Sequence, residues 1–270
     1  MLTYSLLVPT RKRPLLFREF IDSVNKCTKD KSRIDLNIIV DDDDMETIGY
    51  VKAVLPEYPE LKSEIHYIKR QNTVLDFNLN RDYYNATAHK TKGDMIWIMA
   101  DDLEICSYGW DEKVEIEVTN FTVKFPDKMF CVSILDNTKP PSHRMPKFPC
   151  FPMFTRECAI GLEGWYLHPG IRTWGADYIS YCIFQPIDRL LFIHDKNYLN
   201  HKSFHTNQTG VDDTNEWIGH VFNMTKMIDG QNGMPYTDTV IDRDVPHIRN
   251  KLVLKAAEIM REKSRLSNQS

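Results

Sequence analysis

Two runs of aspartate, Asp41-Asp42-Asp43-Asp44 and Asp101-Asp102, are the residues of this chain whose types and spacing best suit chemistry. Each follows a short apolar run that reads as a buried strand, Leu36 to Val40 and Met95 to Met99. Ligands of open α/β sheets bind beyond the carboxyl ends of the strands, so both clusters fall where a ligand would lie. A carboxylate at Asp41 or Asp42 can accept hydrogen bonds from a nucleobase or ribose. Capping the next helix would use one of the four aspartates and leave the others without a task. Asp101 and Asp102 together can hold a hard cation such as Mg²⁺ or Mn²⁺, which bridges a diphosphate and offsets the charge on a leaving nucleoside diphosphate. The competing reading of that pair is an exposed acidic turn.

The elements that must position these groups alternate between strand and helix. Tyr4 to Val8 is an apolar strand ending at Pro9-Thr10. Pro14 to Cys27 reads as a helix, with proline in its first turn and Leu16, Phe17, Phe20, Ile21 and Val24 at helical spacing. Glu46 to Leu55 is a second helix and Glu64 to Ile68 a third strand. Asp76 to Lys92 has helical composition and would stop at Gly93 as a C-cap. Such alternation predicts a mainly parallel sheet with helices on both faces. Beyond Phe125 the pattern changes. Prolines between Pro140 and Pro152 suggest a long surface loop, Tyr178 to Phe184 a helix, Leu190–Ile193 and Tyr198–His201 short strands, and Pro246 to Leu266 a basic helix.

Composition narrows the class. The chain has 270 residues, of which 42% are hydrophobic and 27% charged, as in an ordinary globular domain. With 34 basic against 38 acidic residues there is no basic excess to hold a long stretch of nucleic acid. Six scattered cysteines without a CxxC pair point to reduced thiols, and no signal peptide or apolar run long enough to span a bilayer is visible. The expected setting is cytoplasmic.

Several of these segments together resemble the family-2 glycosyltransferases of the GT-A fold. Leu7-Val8-Pro9-Thr10-Arg11 is similar to the family's first strand and loop, and Ile39-Val40-Asp41-Asp42 to the strand end that contacts the base. Asn85 to Asp94 looks like the Asn-containing helix that ends in Gly-Asp, and Met99-Ala100-Asp101-Asp102 like the Asp-x-Asp motif. The resemblance covers about residues 2–205. It implies a Rossmann-like nucleotide-sugar-binding half over residues 1–125 and an acceptor-binding half over 126–245, and the sequence itself adds a basic C-terminal helix or tail over 246–270. Pro9, Thr10, Arg11, Asp41, Asp42, Asn85 and Asp101 would then touch the donor, most simply a UDP-sugar. Met99 stands where the family's first aspartate lies, which puts Asp101 in the metal-ligand position, with Asp102 beside it, and leaves the ribose contacts open.

The same resemblance assigns two further roles. Trp174-Gly175-Ala176-Asp177 is similar to the family's Gly-Glu-Asp segment, so Asp177 would be the acceptor-side base of an inverting transfer. Trp165, Tyr166 and Trp174 could stack on a sugar ring. A helix-start aspartate is also an ordinary cap, and the helix dipole alone would lower its pKa. Among His194, His201 and His205, the family pattern fits His201 best as a metal ligand from a later strand.

Two other functions stay in view: a nucleotidyltransferase, against which Pro9 to Arg13 lacks glycine, and a non-catalytic nucleotide- or sugar-binding module. The acceptor class is open between carbohydrate, lipid-linked sugar, protein and a modified DNA base. The tail carries Arg249, Lys251, Lys255, Arg261, Lys263 and Arg265 against Glu258 and Glu262. It could touch an anionic membrane peripherally or pack on its own domain with its charges outward.

Overall fold

A computed structural model describes residues 1–71, 73, 76–136, 150–172, 175–193, 198–202 and 243–267. The first elements are β1 (Tyr4–Pro9), α1 (Pro14–Cys27), β2 (Ile34–Asp41), α2 (Met45–Val54) and β3 (Lys62–Ile68). A π-helical segment, Leu79–Asn85, then runs into α3 (Ala86–Ala88), followed by β4 (Met95–Ile98), β5 (Leu103–Ile105) and α4 (Trp110–Lys124). The later elements are β6 (Cys131–Ile134), β7 (Met153–Thr155), α5 (Cys158–Gly161), α6 (Ala176–Phe184), β8 (Leu190–Ile193), β9 (Leu199–His201) and α7 (Val245–Ser267).

The strands form a seven-stranded sheet in the order β3-β2-β1-β4-β7-β6-β8. The first four are mutually parallel, β7 runs antiparallel to both its neighbours, and β6 pairs with β8 in parallel. Burial of both faces explains why β1, β2 and β4 read as continuous apolar runs. Leu6, Val8, Ile38, Val40 and Trp97 pack in one layer with Phe17, Phe20, Ile21 and Val24 of α1. The alternate residues Leu7, Ile39, Ile96 and Ile98 pack in the other layer with α6 and α7.

A second, two-stranded sheet positions the site. β5 pairs antiparallel with β9, setting Leu103 opposite His201. Because β5 begins immediately after Asp102, this pairing carries His201 to the end of β4. The Lys202 amide donates to the Asp102 carbonyl at 2.9 Å and closes the junction.

The structure shortens the predicted 76–92 helix to Leu79–Ala88. Gly93 is therefore no C-cap. It lies against β1, where an added Cβ would stand 2.6 Å from the Ser5 nitrogen and 2.7 Å from its Oγ. Gly93→Ala should cost about 1–3 kcal/mol through this overlap, read as a lower urea midpoint with an unchanged slope.

Helix α4 is an element the sequence reading did not call. Its buried Trp110, Val114 and Val118 recur every four residues, and Asp111 and Glu112 lie in its first turn. Helix α7 buries Val245, Ile248, Leu252 and Ala256 against the domain, with Lys251 paired to Glu163 and Lys255 to Glu258. Among the described residues no helix is long and apolar enough to cross a membrane. The 140–149 proline stretch, Trp174, His194 and His205 lie outside the described residues.

Candidate active site

A cavity of about 290 Å³ opens at the carboxyl ends of the parallel strands. Pro9, Thr10, Arg11 and Arg13 line it from the loop after β1, Asp41 from the end of β2 and Arg70 from just beyond β3. Phe77 comes from just before the π-helical stretch, Asn80, Tyr83 and Tyr84 from within it, Asp102 from beyond β4, His201 from β9 and Asp177 from α6.

At one end sits Asp41, only 2% exposed. Its Oδ2 accepts from Arg11 Nη1 and Arg70 Nη1, each at 3.1 Å, and the Tyr83 hydroxyl donates to Oδ1. Burial pushes the carboxyl up from its usual range against the pull of Tyr83 and the two guanidiniums. Burial and the Asp41 charge also raise the Tyr83 hydroxyl, so the shared proton stays on tyrosine. A carboxylate has about four acceptor positions, and these partners take three, leaving room for one donor from a ligand. Arg70 also lies over the Phe77 ring, 5.2 Å from its centroid. The other aspartates of the run do different work. Asp42 is exposed and fixes Arg70 through the Arg70 amide at 2.9 Å. Asp43 takes both arms of the Arg11 fork, at 2.5 and 3.2 Å, and that hydrogen bonding holds its carboxyl low. Asp44 caps α2 through the Thr47 amide.

Asp101 and Asp102, adjacent in sequence, are separated in role. Asp101 has a fully buried side chain, accepts from Thr10 Oγ1 at 2.8 Å, and lies 2.6 Å from Arg13 Nη2. It is absent from the cavity lining, whereas Asp102 faces the cavity with its Oδ2 3.6 Å from His201 Nε2. The Asp102 Oδ1 is buried with no hydrogen-bond partner. Of the expected metal ligands Asp101, Asp102 and His201, the cavity brings together Asp102 and His201, whereas Asp101 contacts Thr10 and Arg13 and does not line it. Among the described residues no three His, Cys, Asp or Glu side chains converge into a metal cage. A lone buried carboxylate oxygen beside an imidazole nevertheless suits a cation such as Mn²⁺ that takes its remaining ligands from elsewhere.

Asp177 opens α6 after Gly175, which holds a left-handed conformation at φ 95°. Its carboxylate accepts from the Tyr178 amide at 2.9 Å and lines the cavity. Burial raises its pKa to about 6, outweighing the neighbouring amides, with a smaller push from Asp136. The dipole argument foresaw a lowered pKa; desolvation reverses it. Burial, followed by the charges of Asp136 and Asp177, pushes the Cys150 thiol up.

The structure does not bring Asn85 to the cavity. Its amide donates to the Leu167 carbonyl at 2.7 Å and its Oδ1 accepts from the amides of Tyr166 and Leu167, at 2.9 and 3.0 Å. Asn78 and Asn80 likewise bind the carbonyls of Pro169 and Ile171. The asparagines fasten the chain segment that leads to Asp177. Asn85→Ala should destabilise the fold by about 2–4 kcal/mol, since it strands two buried amides, and leave nucleotide affinity nearly unchanged. Trp165 and Tyr166 do not line the cavity either; Tyr166 is buried, with its hydroxyl on the Arg156 carbonyl. The aromatic lining comes instead from Phe77, Tyr83, Tyr84 and Phe151. Arg13, Arg70 and Tyr83 were not foreseen as site residues. Arg70, just past the end of β3, was findable by the rule of strand ends.

No protein-family model matches the sequence, and no curated protein matches it. Solved structures do match in fold. TarS 1–349 of S. aureus in complex with UDP-GlcNAc superposes with a TM-score of 0.55 at 13% identity, over 93% of this chain and 70% of that one. The mannosyltransferase PcManGT from Pyrobaculum calidifontis, in complex with GDP-Man and Mn²⁺, gives 0.54 at 12% identity, over 98% and 80%. The chain has the GT-A fold. Against a longer TarS chain the TM-score is 0.55 at 12% identity, and the match spans 74% of this chain and 37% of that one. At such identity the likeness carries the fold, and the chemistry rests on the cavity.

Proposed function

We propose that the chain is a metal-dependent glycosyltransferase that moves a sugar from a UDP-sugar to an acceptor hydroxyl with inversion. The observation that carries this is one cavity at the strand ends joining Asp41 and Arg70, then Asp102 and His201, then Asp177. At the first end the free acceptor position of Asp41 takes an N–H of the base, Arg70 stands beside it, and the Phe77 ring supplies an apolar face. On this reading residues 1–125 hold the donor and 126–245 the acceptor, while α7 packs on the domain as a C-terminal helix.

Asp102 and His201 would hold the divalent cation, Mn²⁺ or Mg²⁺, whose charge offsets that of the departing nucleoside diphosphate. A protein of the same fold, PcManGT, has been solved with GDP-Man and Mn²⁺. Asp177 takes the proton of the acceptor hydroxyl while that oxygen attacks the anomeric carbon from the face opposite the diphosphate. A carboxylate with a pKa of about 6 is still ionised at neutral pH yet a better base than an ordinary aspartate.

The test is UDP release from a panel of UDP-sugars with Mn²⁺ and with EDTA. Release that needs the metal is the expected result. Binding of UDP with no turnover of any nucleotide sugar would instead make the chain a non-catalytic binding module.

A further inference from the structure

One neutral side chain at the base end is joined to Asp41. Tyr83 belongs to the Leu79–Asn85 segment, where the Ala86 amide reaches back five residues to the Arg81 carbonyl. Such π-helical turns are rare and frequent at functional sites. Tyr83 is buried, lines the cavity and donates its hydroxyl to Asp41 Oδ1, whereas Arg11 and Arg70 both donate to Oδ2. The contacts close into a circuit. The Tyr83 ring meets Phe77 edge-on at 5.7 Å between centroids, Phe77 lies beneath the Arg70 guanidinium, and Arg70 returns to Asp41. A buried tyrosine needs only some acceptor for its hydroxyl, and a backbone carbonyl serves, as that of Met99 does for the adjacent Tyr84. Tyr83 instead spends its hydroxyl on the carboxylate that lines the cavity.

We propose that Tyr83 is a positioning residue for the nucleobase: its hydroxyl fixes Asp41 as an ionised acceptor for an imide N–H, so that the site selects uracil over cytosine. This rests on the cavity being a nucleotide-sugar site. Uracil presents an N–H at ring position 3, where cytosine presents a bare nitrogen. A carboxylate accepts from the first and repels the second, while a carboxylic acid can donate to the second. Among the described residues, the groups that act on Asp41 are Tyr83 from the π-helical segment, Arg70 from beyond β3, Arg11 from the loop after β1 and Asp43 in its own run. Burial pushes the Asp41 carboxyl up, and the Tyr83 hydrogen bond is the largest influence against it, ahead of both arginines. Without that hydroxyl, Asp41 takes up its proton at a higher pH.

The experiment is calorimetric titration of UDP and of CDP, in one Mn²⁺ buffer between about pH 5.5 and 8, into wild type and Tyr83→Phe. Both nucleotides carry the same diphosphate, so the ratio of their affinities reports the base alone. Phenylalanine keeps the ring that packs on Phe77 and removes only the hydroxyl. Wild type should prefer UDP by about tenfold or more at the upper pH, as one hydrogen bond to a charged group provides, and lose the preference as Asp41 protonates. In Tyr83→Phe the preference should be smaller and should disappear at a higher pH. A ratio with the same size and pH dependence in both proteins overturns the role of Tyr83, as does a wild type that binds the two nucleotides equally. Where the variant fails to fold, a structure of wild type soaked with UDP decides. The Tyr83 hydroxyl should stay on Asp41 Oδ1 while Asp41 accepts the uracil N–H, and a hydroxyl that has moved onto the nucleotide overturns the proposal. If wild type binds neither nucleotide, the nucleotide-sugar reading itself falls, and this inference with it.

Discussion

Replacing Asp177 with Asn is expected to lower kcat by about 10²- to 10⁴-fold while leaving donor KM nearly unchanged. Asparagine keeps the size and the capping geometry of the residue but cannot take a proton, so the loss isolates the base. The wild-type rate should rise with pH through about 6 and then level, because the carboxylate works only when ionised and its pKa is raised to about 6. Stability should move the other way. The folded-state pKa lies above the unfolded value, so the native state binds more protons between about pH 4 and 6 and stability falls as pH rises through that window. Above it, the ionised and desolvated group is a net cost that the Asn variant lacks. The variant should therefore melt higher than wild type at pH 8 and equally below pH 4. Thermal melts at the two pH values check this beside the kinetics. A variant that transfers sugar at near wild-type rate would make Asp177 a cap and remove the inverting assignment.

The second large effect separates two adjacent aspartates. Asp102→Ala should abolish Mn²⁺-dependent release of UDP and leave the melting temperature within a few degrees of wild type, since Oδ1 has no hydrogen-bond partner to strand and Oδ2 stands 3.6 Å from His201 Nε2, beyond hydrogen-bond distance. Asp101→Ala should instead cost about 3 kcal/mol of folding stability, because it leaves the Arg13 charge and the Thr10 hydroxyl without the buried carboxylate they share. Urea denaturation of both variants beside the activity assay tells them apart. Asp102→Ala with full metal-dependent activity would move the cation elsewhere.

The sheet was legible because its strands are buried on both faces, and Asp41 and the 101–102 pair were legible because strand ends are where ligands bind. The choice between Asp101 and Asp102 was not. It depends on Thr10 and Arg13 reaching across from the loop after β1, a contact between residues some 90 positions apart in sequence for Thr10 and Asp101. His201 was placed by family resemblance, but its partner is set by the β5–β9 pairing, which no local periodicity announces. The surroundings of Asn85 were hidden for a related reason: an asparagine in a helical stretch does not reveal that its amide is taken by the backbone of residues 166 and 167. The sign of the Asp177 shift depends on a cavity wall built from distant segments, whereas the helix start alone argues for the opposite. Helix α4, by contrast, was there to be read in Trp110, Val114 and Val118.

The most direct test is a crystal structure of the chain soaked with UDP and Mn²⁺. The expected density places the uracil ring beside Phe77 with Asp41 and Arg70 at its polar edge, and the cation bound by Asp102 and His201 against the diphosphate. A nucleotide seated outside this cavity, or a cation bound by Asp101 with Arg13 displaced, would contradict the assignment.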